Sequence, residues 1–164
     1  MMSARSTIAI LSATIALAAA SGAFAQPVAL ANELMAIRLD PDDGYAIAGI
    51  ENRALGVEFI QPRPEGVEQD RSPWLLLMRG PQVNHELTAA NAQQATHSLV
   101  GDTLTITWTG ISSEAVPGDL TVTATVRLPA GSPKAYLRAE VSGSAQAYAW
   151  QLDFPRVFGI RDFA

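Results

Sequence analysis

From Thr103 onward the chain alternates apolar and polar residues almost one for one. Leu104, Ile106 and Trp108 interleave with Thr103, Thr105 and Thr107. Leu120, Val122, Ala124, Val126 and Leu128 interleave with Thr121, Thr123, Thr125 and Arg127. Successive side chains of a strand point to opposite faces, so a period of two sustained this long specifies strands with one face buried and one wet. The interruptions are turn chemistry: Pro117-Gly118-Asp119 and the run from Pro129 to Pro133 combine proline, which presets φ, with glycine, which accepts positive φ. Strands joined this closely are antiparallel, and a sheet apolar on one face must bury it against a second layer. The expected fold is all-β, an antiparallel sandwich of two sheets built from nine or ten short strands.

The same logic extends in both directions. Met35, Ile37 and Leu39 share one face of a short strand, and Asp40-Pro41-Asp42-Asp43-Gly44 reads as a tight turn. Strands over 45–50 and 56–60, with a turn at Glu51-Asn52-Arg53, complete a meander. Residues 61–72 hold Pro62, Pro64 and Gly66 among charges and read as a surface loop. The run from Trp74 to Arg79, bounded by Pro73 and Gly80-Pro81, reads as a strand covered on both faces. Residues 83–96 are polar and read mostly as loop, leading into a strand over 94–100 and a hairpin turn at Gly101-Asp102. After a turn at Ser142-Gly143-Ser144, the residues Tyr148, Trp150, Leu152 and Phe154 alternate with Ala149, Gln151 and Asp153. That places Trp150, like Trp108, on a buried phase.

Residues 1–25 stand apart. Arg5 precedes an unbroken run of small and apolar residues over 8–20, and Ala23-Phe24-Ala25 supplies the small-x-small pattern of a cleavage site. The run is short for a membrane span, which needs about 20 apolar residues. A removed signal peptide is expected, with residues 26–164 forming one exported β-sandwich domain, periplasmic or extracellular. Losing Arg5 leaves ten basic residues (11 − 1) against 16 acidic ones, a net charge of −6. Nucleic acid and, after cleavage, membrane are therefore not expected partners. With no cysteine in the chain, packing alone must hold the domain together, and about 140 residues suffice for a core of that kind. The tail carries Val157, Phe158, Ile160 and Phe163. Either these pack back on the sandwich, or the natural protein continues past Ala164 and they form an interface with its next domain.

Few residues suggest chemistry. Asp40, Asp42 and Asp43 are hard oxygen donors, but they lack the spacing and closing glutamate of a calcium loop, and turn aspartates usually cap their own backbone. Glu65, Glu68 and Asp70 cluster in the proline-rich loop, which does not hold two carboxylates at a fixed separation. His85 and His97 are the only histidines, and neither has the neighbours of a zinc site. No catalytic set, metal or other cofactor is expected. Aromatic side chains are a different matter, because an amphipathic ring offers an apolar plate to the C–H face of a sugar. Trp74, Tyr45 and Tyr148 are the candidate carbohydrate-binding residues.

The order of these elements carries a resemblance. Asn32, Leu34, Asp40, Gly44, Ile50, Asn52, Gly56 and Phe59 fall at the intervals of a family opening. The strand TLTITW, the pair LTVTATVRLPAGSPKAYLRAEV and the closing LDFPRVFGI come after it. Over 32–160 the chain resembles the N-terminal β-supersandwich, galactose-mutarotase-like domain of exported α-galactosidase-like glycoside hydrolases. The resemblance implies a module that supports a downstream catalytic barrel, where the catalytic carboxylates would sit. The same supersandwich occurs in sugar epimerases and polysaccharide lyases. A stand-alone aldose epimerase using His85 or His97 with a carboxylate is therefore the alternative.

Overall fold

A computed structural model describes residues 26–62, 64, 69–81 and 83–161. The expected leader, Glu65, Glu68 and Phe163 lie outside the described residues. Eleven strands form: β1 (Val28–Ala31), β2 (Met35–Asp40), β3 (Ala46–Asn52), β4 (Val57–Glu58), β5 (Leu75–Gly80), β6 (Val83–Thr88), β7 (Gln94–Val100), β8 (Thr103–Ile111), β9 (Gly118–Arg127), β10 (Tyr136–Ala145) and β11 (Tyr148–Asp153). All pairings between them are antiparallel. The expected all-β sandwich forms, but its hydrogen bonding divides into three sheets rather than two. Their orders are β1-β2-β3-β4, β10-β9-β8-β7 and β11-β5-β6.

The alternation that dominates the sequence builds the centre. Leu104, Ile106 and Trp108 of β8 and Val122, Ala124 and Val126 of β9 are each 3% exposed or less. They join one cluster with Ile37, Leu39 and Ile47 of the first sheet and Leu76, Met78 and Leu87 of the third. Fully burying a side chain of this size contributes about 1.5–3 kcal/mol, so the contact of three inner faces is the main stabilising term. The threonines of β8 and β9 point the other way and stand half-buried on the outer face.

Turn chemistry behaves as expected at 40–44 and 101–102, whereas Gly118 and Asp119, read as part of a turn, open β9 instead. The turn at 40–44 is a short 3₁₀ segment, Pro41–Asp43, capped by Asp40, whose Oδ1 accepts from the Asp42 amide at 3.0 Å. Gly44 closes it in the left-handed region at φ 62°. Gly101 opens the β7–β8 hairpin at φ 60°, so the positive φ falls at the first central position, as a type II′ turn requires.

Among the described residues three bulges interrupt the ladders and reset which residues face inward. Between Trp108 and Ile111 the β8–β9 register shifts, and both residues end fully buried although they lie three apart. Gly110 sits in that bulge at φ 66°, with the Gln93 side chain where a Cβ would project. A second shift falls between Arg38 and Leu39 in β2–β3. There the Arg38 guanidinium crosses Gly49, pairing with Glu51 at 3.1 Å and with Glu58. The third shift, between Ala149 and Gln151 of β11, shapes the candidate site.

Several local expectations are corrected. The polar segment Val83–Thr88 is a strand, paired residue by residue with β5; its hydrogen-bonded partner, not its own composition, decides its conformation. On β5, Leu76 and Met78 are buried while Leu75 and Leu77 are half-buried, so cover is complete on one face only. Strand β10 runs through Ser142-Gly143-Ser144 to Ala145, and the chain turns at Gln146-Ala147 instead. No helix among the described residues is long and apolar enough to cross a membrane.

Candidate functional site

The outer face of β11-β5-β6 is assembled by the bulge in β11. Leu152 lies opposite Leu76 and Ala149 opposite Met78, and Leu76 and Met78 are fully buried. Leu152 packs against the core, and across the bulge Ala149 takes the phase of Met78, although Ala149 itself is exposed. Trp150 is the inserted residue and faces no partner on β5. One extra residue reverses the phase of everything beyond it. Tyr148, which unbroken alternation would have buried, is turned outward opposite Arg79.

The result is an exposed aromatic pair. Tyr148 is 57% and Trp150 55% exposed, and their ring centres lie 6.4 Å apart at an interplanar angle of 62°, within the range of favourable edge contacts. The Arg79 guanidinium sits 4.6 Å from the centre of the Trp150 ring. A guanidinium over a ring face is attracted by the ring's quadrupole, and Arg carries N–H donors that a neighbouring ligand can meet. Among the described residues no carboxylate pairs with Arg79. The register sets Tyr148, Arg79 and Asn84 in one row across the three strands, and Gln151, Leu77 and Glu86 in the next. Gln151 Nε2 donates to Asp153 Oδ1 at 2.6 Å. An aromatic plate thus borders a guanidinium, two amides and two carboxylates, a surface suited to a ligand that is apolar on one face and hydroxylated at its edge.

The other two aromatic candidates are placed elsewhere. Trp74 is 0% and Tyr45 5% exposed, so neither ring has a face open to a sugar. Both belong to a run of edge-to-face contacts through Trp108, with centre distances of 5.8 Å from Trp74 and 6.0 Å from Tyr45. Tyr45 is buried because it follows Gly44 in the left-handed region, at φ 66°, an uncommon conformation for a bulky residue. Its hydroxyl meets His97 Nδ1 at 2.9 Å, and burial pushes its pKa up. The Trp108 indole donates to the Gly44 carbonyl at 3.2 Å, tying the turn to the core. The reading of Trp150 as a core residue is corrected in the opposite sense.

The remaining candidates do not converge. His85 lies on β6 and His97 on β7, strands of different sheets. Asp70 accepts from the Ser72 amide at 2.8 Å and lies 3.9 Å from Arg156. Among the described residues no group of three or more metal-ligating side chains is found. In the tail, Val157 packs against the core, and Phe158 is half-buried with the Arg156 guanidinium 4.9 Å from its ring centre. Ile160 pairs with Ile60 in an isolated bridge while its side chain stays 66% exposed.

Sequence reasoning missed Trp150 and Arg79. No signal in the strand itself would have found them, because Tyr148, Trp150 and Leu152 make a better apolar phase than Ala149, Gln151 and Asp153. Compared with known proteins, the chain matches no family model, no curated protein and no solved structure.

Proposed function

We propose that this chain is a non-catalytic β-sandwich module of an exported carbohydrate-active protein, touching carbohydrate through the outer face of β11-β5-β6 and supporting a downstream catalytic barrel. The observation that supports the reading is the solvent-facing pair Tyr148 and Trp150 with Arg79 stacked beside it. Arg79 covers one side of the indole, and an exposure of 55% leaves the rest of the ring open to a ligand. A sugar laid on that plate buries its C–H face against carbon. Its hydroxyl groups then meet the donors of Arg79 and Asn84 and the acceptors of Glu86, Gln151 and Asp153. Large aromatics exposed together on a flat sheet face are uncommon in a self-contained domain and usually mark an interaction surface. Val157 is committed to the domain's own core, which leaves Phe158 and Ile160 as the described residues of the tail that a downstream domain could cover.

The test is affinity electrophoresis of the full chain through gels containing galactan, xylan or pectin. The expected result is retardation in at least one gel, weakened about tenfold in Trp150→Ala, in line with roughly 1.4 kcal/mol for one stacked ring. If the wild type and Trp150→Ala run alike in every gel, the surface is not a carbohydrate site.

A further inference from the structure

The first and second sheets do not close on one another everywhere. A cavity of about 140 Å³ remains among Ile37 of β2, Ile106 of β8 and Val126 of β9, with Ala135, Leu137 and Val157 also in its wall. Trp108 also lines it, and its indole N–H is turned to the Gly44 carbonyl, so the ring presents only carbon to the space. Leu137 is 38% exposed, which puts a route to solvent at the start of β10.

Water is a poor occupant of such a space. A buried water is held by two to four hydrogen bonds, and apolar cavities of about this size stay dry while accepting a benzene molecule or a xenon atom. We infer that the cavity is a binding site for one small apolar molecule of about six carbons, best matched by a monocyclic aromatic ring. Size and lining both select the class: the volume suits one ring and not two fused rings, and nothing in the wall satisfies a hydroxyl group. Ala135 is a small side chain in the wall, where a larger one would reach into the space. This site is separate from the outer face of β11-β5-β6 and does not depend on the carbohydrate reading.

The experiment is a titration of the full chain, methyl-labelled at Ile, Leu and Val, with benzene, monitored by NMR and by thermal melting. Benzene should shift the methyls of Ile37, Ile106, Val126 and Leu137 saturably and raise the melting temperature by a few degrees through linkage. Naphthalene and inositol should do neither. Ala135→Phe, which fills the space, should abolish the response, and the milder Ala135→Leu should weaken it about tenfold if Phe cannot be accommodated. Unmoved methyls at those four residues, shifts spread over the whole chain, or an Ala135→Leu protein that binds benzene as well as the wild type would each overturn the assignment.

Discussion

Strands β8 and β11 place two tryptophans in opposite environments. Trp108 is fully buried between sheets, donates its N–H to Gly44 and touches two other aromatic rings. Trp150 is 55% exposed, touches Tyr148 and is stacked by Arg79. The strands differ in two respects. β8 lies between two partners in its sheet, whereas β11 is an edge strand with one, and the residues from Thr103 to Trp108 pair without interruption whereas Trp150 is itself the bulge. An aromatic in an alternating run is thus directed inward only while the ladder holds its register. One inserted residue converts a core tryptophan into a surface one.

The sharpest way to break this comparison is deletion. Removing Thr107 from β8 would send every residue on one side of the gap to the wrong face, and the chain should fail to give a cooperative unfolding transition. Removing Trp150 should instead leave a regular β11–β5 ladder with Leu152, Ala149 and Tyr148 in their present phases. Its cost should stay within about 1 kcal/mol, as expected for a change at an exposed, unpaired residue. Circular dichroism melts of the two deletions would check both statements.

Truncation gives the next largest contrast. Trp108→Ala should cost about 3–5 kcal/mol, a large fraction of a typical 5–15 kcal/mol. Trp150→Ala should stay within about 0.5 kcal/mol. Both are read from urea midpoints at constant slope. A smaller difference separates the two buried indoles. The Trp74 N–H has no hydrogen-bond partner among the described residues, and an unpaired buried donor costs about 1–3 kcal/mol. Trp74→Phe should therefore destabilise less than Trp108→Phe, which discards a made bond.

The strands of the centre are legible in the sequence because their pattern and their burial agree. β7 is legible at its full span, β9 within a residue at each end and β8 from its start through Trp108, three residues short of its end at Ile111, because Thr-Leu-Thr-Ile-Thr-Trp and its neighbour satisfy propensity, period and turn chemistry together. β6 is not legible, since Val-Asn-His-Glu-Leu-Thr becomes a strand only by pairing with β5. The site is illegible for a related reason. A bulge is fixed by the partner strand, so the phase of Tyr148 is a property of two segments nearly 70 residues apart. Tyr45 misleads in the same way, because its burial comes from a left-handed backbone at a turn rather than from strand alternation.

The smallest expected effect lies far from both tryptophans. Burial pushes the Glu58 carboxyl up, but the amides of Ile60 and Ile50 and the Arg38 guanidinium outweigh it and hold its pKa below the ordinary glutamate value. A carboxylate with a depressed folded pKa stabilises the fold above its unfolded value, about 4.3, and loses that contribution as pH falls through the folded value. Partial exposure and solvent screening keep the effect under about 1 kcal/mol. Glu58→Gln should therefore lower stability at pH 7 and make less difference below pH about 4, as urea midpoints at the two pH values would show.

The division of labour between buried and exposed aromatics is tested most directly by acrylamide quenching of tryptophan fluorescence in the full chain, which holds three tryptophans, with and without the polysaccharide that retards it. One quenchable component should be present, absent from Trp150→Phe and protected when the polysaccharide is bound. A quenchable component that survives Trp150→Phe, or one that the bound polysaccharide leaves unprotected, would contradict the account.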